Sequence, residues 1–194
     1  MKLLLHVCCA PCSTYTLNNL RKLNIDVSGY FYNPNIHPYR EFKKRLDTLK
    51  EFAEKTNFAL HIENEYGLTE YLRKVVFNEK KRCSICYDMR LEKTAAQAAK
   101  IGADAFSSTL LYSRYQNHGA IISIATKMAE KYGVAFYYND FREGWQEGID
   151  KAIEMDLYRQ SYCGCIYSEQ ERYDNRLKKK MRKERKLAKI AAQS

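Results

Sequence analysis

Short apolar runs alternate along the chain with longer stretches of helical spacing. Lys2–Val7 is a compact apolar run suited to a buried strand, and Val27–Tyr32 is a second, with Gly29 tolerated inside it. Between them, Thr14–Leu23 places apolar residues at helical intervals. Pro38 stands at a helix start, after which Phe42, Leu46, Leu49 and Phe52 or Ala53 recur every three or four positions. Ala59–Ile62 predicts a third strand and Leu68–Phe77 a short helix. Cys83–Ile101 predicts a long helix that stops at Gly102, with Lys100 in its last turn. Ala105–Leu110 and Ala135–Tyr138 supply two more strands around a helix at Ile121–Lys131, which ends near Gly133. Helices follow over Gln146–Met155 and from Ser168 into the C-terminal segment. Strands alternating with helices predict an α/β domain: one parallel sheet with helices on both faces.

Composition narrows the class. The chain has 194 residues, 45% apolar and 29% charged, enough for one core without covalent staples and too apolar for wholesale disorder. No apolar run approaches the length of a membrane span. Met1–Leu5 begins like a secretion signal, but His6 and then three cysteines interrupt it, so a cytoplasmic protein with no membrane partner is expected. The net charge of +10 is lopsided: residues 172–194 hold ten basic side chains against Asp174 and Glu184. That predicts a nearly neutral body over 1–171 and a basic helical tail over 172–194. Such a tail suits a nucleic-acid backbone, where neutralised phosphates release counterions, although a merely solvated helix has the same composition.

Cysteine carries the chemistry. Directly after the first strand, where a nucleotide-binding relative of this architecture would place a glycine-rich loop, stands Cys8-Cys9-Ala10-Pro11-Cys12, and no glycine precedes Gly29. About 70 residues on comes Cys83-Ser84-Ile85-Cys86, and about 76 further Cys163-Gly164-Cys165. Residues three apart share a helix face, so Cys83 and Cys86 can approach one centre, and Gly164 permits the tight turn that a C-x-C needs. Disulfides are disfavoured in a cytosolic protein with an odd cysteine count. A thioredoxin-like redox pair needs only one C-x-x-C, and a structural zinc takes four ligands. Seven thiols fit an iron–sulfur cluster better, with thiols left over for a second metal or a redox pair. Scattered core cysteine would not fall into three tight groups.

Four segments carry a family resemblance. They are Leu5-His6-Val7-Cys8-Cys9-Ala10-Pro11-Cys12-Ser13, Arg82-Cys83-Ser84-Ile85-Cys86-Tyr87-Asp88-Met89-Arg90-Leu91-Glu92-Lys93-Thr94-Ala95, Asp140-Phe141-Arg142 and Leu157-Tyr158-Arg159-Gln160-Ser161-Tyr162-Cys163-Gly164-Cys165-Ile166-Tyr167-Ser168. Together, and in this order, they resemble the QueH family of epoxyqueuosine reductases. The resemblance implies a fold of the HUP class (adenine-nucleotide α-hydrolase-like). It also implies reduction of epoxyqueuosine to queuosine in a tRNA anticodon loop without cobalamin, a 4Fe-4S cluster and an additional iron beside it. The match is weaker over residues 110–118, a segment expected to border the substrate.

Removing an epoxide oxygen to leave an alkene takes two electrons and two protons, and side chains do not supply such electrons. A cluster fed by an external electron donor is therefore expected, with a second metal to bind the epoxide oxygen. Cys9, Cys83 and Cys86 are expected at the cluster and Cys8, Cys163 and Cys165 at the second metal. Adjacent residues in an extended chain point apart, which is the reason for splitting Cys8 from Cys9. Cys12 is left to either centre, with Asp88 as a possible carboxylate ligand. Asp140, just beyond the last strand, is the candidate acid, with a helix N-cap as its plainer role. Tyr115, Tyr162 and Tyr167 are further proton donors. His6 is either an ordinary core histidine or a partner of the cluster ligands. Arg90 balances cluster charge or binds phosphate. Arg142, Arg159, Lys178, Lys179 and Arg182 are candidate tRNA contacts. Tyr30, Tyr32, Tyr39, Tyr112 and Tyr115 are placed to stack splayed bases. The alternative class is a zinc-stabilised RNA-binding module without catalysis.

Overall fold

In the computed structural model, which describes residues 1–191, the run Lys2–His6 forms the central strand β1. Leu3, Leu4 and Leu5 are all buried, the continuous rather than alternating pattern of a strand covered on both faces. It pairs in parallel with β2 (Asp26–Phe31) on one side and β4 (Ala105–Ser108) on the other. The short strands β3 (Leu60–Ile62) and β5 (Ala135–Phe136) close the edges, giving the order β3-β2-β1-β4-β5. Gly29 lies on β2 beneath Phe58 and Leu60, where a Cβ would stand 2.8 Å from both side chains. The helices are α1 (Ala10–Lys22), α2 (Tyr39–Thr56), α3 (Leu68–Val75), α4 (Arg82–Lys100), α5 (His118–Tyr132), α6 (Trp145–Glu154), α7 (Ile166–Tyr173) and α8 (Asn175–Ala191). α1 packs with α6, and α4 with α5, as the two helical layers.

The parallel α/β layout expected from the pattern is present, with three differences in its boundaries. α1 begins at Ala10 rather than Thr14, because Pro11 fits the first turn, where a missing N–H costs nothing. Cys12 therefore rides on the helix. Ala105–Leu110 is strand only to Ser108; Ser108 Oγ accepts the Leu110 amide at 3.1 Å and turns the chain into a 3-10 segment over Thr109–Tyr112. The C-terminal helix is two helices. Asp174 Oδ1 accepts the amides of Arg176 and Leu177 at 2.9 and 3.0 Å, capping α8 and ending α7. Among the described residues no helix is long and apolar enough to cross a membrane.

The sheet reverses its winding at β1, since β2 and β4 lie on opposite sides of it. Ligands of open α/β sheets bind beyond the carboxyl ends at such a switch point. Cys8 is two residues past the end of β1, and its amide donates to Thr109 Oγ1, just past β4, at 3.0 Å.

Candidate metal centre

The strand-to-helix turn gathers the first thiols. Cys8, Cys9 and Cys12 have sulfurs within 4.8 Å of one another, and Cys8 Sγ lies 3.6 Å from Cys9 Sγ. This overturns the expected separation of the two neighbours. Cys9 is the N-cap of α1 and still extended at φ -172°, so the sulfurs approach although the backbone between them has not yet turned helical. The neighbouring thiols of Cys12 and Cys9 hold Cys8 well below an ordinary thiol pKa. Burial pushes Cys9 up to about 12, while the thiols of Cys8 and Cys9 raise Cys12. Within the group, Cys8 is thus the most acidic of the three thiols.

Cys83 and Cys86 on α4 and Cys163 and Cys165 before α7 supply the other four thiols, although among the described residues only Cys8, Cys9 and Cys12 bring three sulfurs within 4.8 Å of one another. Cys86 on α4 packs with Cys165, Tyr71, Val75 and Met89 in a small cluster separate from the main core. Cys163 and Cys165 lie on the irregular stretch before α7. Gly164 between them has φ +119°, and a Cβ there would sit 3.0 Å from Ile36 and 3.1 Å from Arg45 Nη1. Arg45, buried on α2, clamps this stretch by donating to the carbonyls of Cys163 and Tyr162 at 3.1 and 3.0 Å. Its own charge is met by Glu41 at 2.6 Å, whose other oxygen accepts the Tyr158 hydroxyl at 2.7 Å. The His37 amide adds a bond to the Gly164 carbonyl at 2.7 Å, and the Tyr162 hydroxyl donates to the His37 carbonyl at 2.6 Å. As in the first group, one thiol is acidic: the hydrogen-bonded Cys165 lowers Cys163 and is itself raised.

Two residues join the sets. Arg90, only 3% exposed, donates to Cys86 Sγ at 3.6 Å and, through Nε, to His6 Nε2 at 3.2 Å. Burial alone would lower its pKa, but the thiols of Cys86 and Cys8 more than offset that. His6 Nδ1 lies 2.9 Å from Ser108 Oγ, and Nε2 lies 3.3 Å from the Tyr32 carbonyl as well. Burial, then the nearby guanidinium, pushes His6 down to about 3, so it stays neutral. Gln160, three residues before Cys163, places Nε2 2.9 Å from Cys9 Sγ. Its Oε1 is buried without a partner, as is the Tyr71 hydroxyl beside Cys165. The sulfurs of the two groups make a donor set that fits soft transition metals, and the guanidinium beside them can balance the charge of ionised sulfur.

The structure relocates other expected residues. Arg90 is too buried to meet a tRNA phosphate, and its charge faces sulfur. Asp140 caps the turn at Phe141–Gly144 and pairs with Arg142 at 2.5 and 2.8 Å. These bonds hold its carboxyl down at about 2, so it is ionised at neutral pH and has no proton to give. Arg142 is correspondingly engaged, whereas Arg159 is exposed. Asp88 lines a shallow outer pocket with Lys74, Lys81 and Ser84, because residues two apart on a helix face apart and Cys86 points inward. Tyr30, Tyr32 and Tyr112 are buried and cannot stack on bases, while Tyr39 and Tyr115 are exposed. Tyr162 is occupied by His37, and Tyr167 lies under Arg82. On α8, Lys179 and Arg182 are exposed and Lys178 is half-buried. The sequence reading missed Arg45, Glu41, Tyr71 and Trp145, which lie outside every segment of the resemblance; Gln160 lies inside one and was the legible signal.

Comparison with known proteins agrees with this arrangement. Residues 3–171 match the family described as "Epoxyqueuosine reductase QueH". Relatives of that description include one from Dehalococcoides mccartyi, 43% identical over 172 residues (89% of this chain, 94% of the relative). Another, from Thermotoga maritima, is 39% identical over 180 residues, covering 87% and 91%. Among solved structures, U34-tRNA thiolase NcsA from Methanococcus maripaludis with its [4Fe-4S] cluster superposes with TM-score 0.53 at 15% identity (83% of this chain, 59% of that one). A predicted subunit of tRNA methyltransferase from Methanocaldococcus jannaschii gives 0.54 at 13%, covering 79% and 75%. At such identities these two speak for the fold alone, a parallel α/β sheet with helices on both faces. The chain belongs to the QueH family of epoxyqueuosine reductases.

Proposed function

We propose that the protein reduces the epoxide of epoxyqueuosine in tRNA to the alkene of queuosine, releasing the oxygen as water, in the cytoplasm and with electrons from an external donor. The observation that carries this reading is the convergence of thiols from three distant stretches around Arg90 at the switch point of the sheet. The seven thiols suit an iron–sulfur cluster of the 4Fe-4S type and an additional iron. Cys8, Cys9 and Cys12 serve as one donor group and Cys83, Cys86, Cys163 and Cys165 as the other. When bound, such centres supply the two electrons and a Lewis acid for the departing oxygen.

The chain's own residues prepare that chemistry. Arg90 offsets thiolate charge on both sides, which lets the two groups stand close without repulsion. His6 fixes the guanidinium from behind as a neutral acceptor. Gln160 orients Cys9 and leaves an amide oxygen facing the site, while Tyr71 holds a hydroxyl proton beside Cys165. Tyr71 replaces Asp140 as the buried group with a proton to offer. The separate helix from Asn175 supplies an exposed basic surface at Lys179 and Arg182 for the tRNA backbone, with Arg159 nearer the thiols.

The experiment is anaerobic purification with iron and sulfide analysis, followed by turnover of epoxyqueuosine-containing tRNA. A brown protein that forms queuosine in stoichiometric excess is expected. A colourless protein holding one zinc and binding RNA without turnover would establish the non-catalytic module instead.

A further inference from the structure

Next to the thiols, the segment from Ser113 to Asn117 and the start of α6 form an aromatic feature that the chemistry above does not use. Tyr115 is 84% exposed, and its ring meets the Trp145 indole edge-on at 5.6 Å. The Arg114 guanidinium lies over the same indole at 5.6 Å. Beneath, Tyr112 stacks on Trp145 at 5.2 Å and donates its hydroxyl to the Trp145 carbonyl at 2.8 Å. Tyr112 ends the 3-10 segment that begins at Thr109, whose hydroxyl accepts the Cys8 amide at 3.0 Å and donates to Cys8 Sγ at 3.3 Å, so the feature is continuous with the first thiol group.

The segment is also pinned from below. The Tyr87 hydroxyl donates to Gln116 Oε1 at 2.8 Å and accepts the Asn117 amide at 3.1 Å. The Tyr115 amide bonds to Ser113 Oγ at 3.3 Å, and Asn117 Oδ1 caps α5 at 3.0 Å. The backbone that carries the ring is thus fixed, while the ring itself stands in solvent against the edge of Trp145. Burial in the chain's own core is therefore not its purpose. Aromatic faces flanked by exposed guanidinium groups are the standard surface for unpaired nucleobases, whose stacking tolerates any base.

We propose that Tyr115, backed by Trp145 and flanked by Arg114, is a stacking platform for an unpaired base of the substrate loop, neighbouring the modified base that enters the thiol site. The proposal rests on the tRNA reading given above and makes Tyr115 a positioning residue rather than a proton donor. The occupant is an unpaired base rather than a protein, because Arg114 and Arg159 are exposed cations and the thiol group lies alongside through Thr109.

The test uses the iron-loaded full chain and an anticodon stem-loop RNA carrying 2-aminopurine in the loop. Binding should quench the 2-aminopurine and perturb the emission of Trp145, the single tryptophan of the chain. Tyr115→Ala should weaken loop binding about tenfold or more, remove most of the quenching and leave affinity for duplex RNA as it was. In turnover the loss should fall on KM rather than kcat. Tyr115→Phe should restore affinity, quenching and KM, because a ring without its hydroxyl still stacks. If Tyr115→Ala binds the loop as tightly as the wild type, the platform is refuted while the tRNA reading stands. If Tyr115→Phe loses kcat, the hydroxyl is a proton donor and the platform is likewise refuted. If wild-type protein binds no stem-loop at all, the tRNA reading itself falls.

Discussion

Cys8, Cys9 and Cys12 sit where β1 hands over to α1, so the backbone that makes the central strand and the first helical turn also sets their positions. Cys163 and Cys165 lie on a stretch without regular structure, and the groups that fix it come from α2 and its approach, more than 100 residues earlier. Both groups end with one acidic thiol among less acidic ones. In both a neighbouring thiol makes it acidic, but the first group is positioned by the central strand and the first helical turn, the second by a few side-chain and turn contacts. The second group should therefore be the fragile one.

The largest blow to that contrast comes from Arg45→Leu. It strands Glu41 in a poorly solvated position and leaves the carbonyls of Tyr162 and Cys163 unpaired. Loss of a buried partner of this kind costs about 3–5 kcal/mol, to be read by chemical denaturation. Thiol labelling followed by mass spectrometry should find Cys163 and Cys165 opened far more than Cys9 and Cys12. Equal opening of both groups would end the distinction.

Acid should act next most strongly, and on the same group. His37 belongs to the clamp, and burial lowers it from 6.5 to about 4, with its Nε2 unpartnered. The unfolded chain therefore takes up a proton first as pH falls. The stability owed to neutral His37 is whole above about 6.5, declines as pH drops toward about 4 and is flat below. The loss is up to about 3 kcal/mol, to be followed by denaturation across that window. His37→Gln should flatten the slope; an unchanged slope would remove His37 from the account.

The mildest change is Gly164→Ala. At φ +119° an L-residue is strained, and the added methyl presses on Ile36 and Arg45. About 1–2 kcal/mol is expected by thermal denaturation, with Cys163 and Cys165 labelling faster and Cys8, Cys9 and Cys12 unaffected.

This contrast also explains what the sequence disclosed. The alternation of strands and helices and the thiols after β1 were legible because both are local: apolar spacing sets the element, and the turn after a central strand is where sites of this architecture lie. The pairing of Cys8 with Cys9 was not, because backbone alternation alone does not fix where two neighbouring thiols meet just past a strand end. Asp140 read as an acid because its position at the sheet edge is visible in sequence, whereas its partner Arg142 decides its charge. Arg45 and Tyr71 were invisible for a different reason. An arginine and a tyrosine in amphipathic helices look like rim residues until the loop they hold is folded over them.

Arg90 bears on the order of events in making the active enzyme. A nascent chain whose clustered sulfur anions had to wait for iron to neutralise them would mature only as fast as metal arrived. Here a cation supplied by α4 already stands among them, bonded to Cys86 on one side and propped by His6 on the other. The scaffold can thus finish before any metal is loaded, with a counter-charge to its sulfurs already in place.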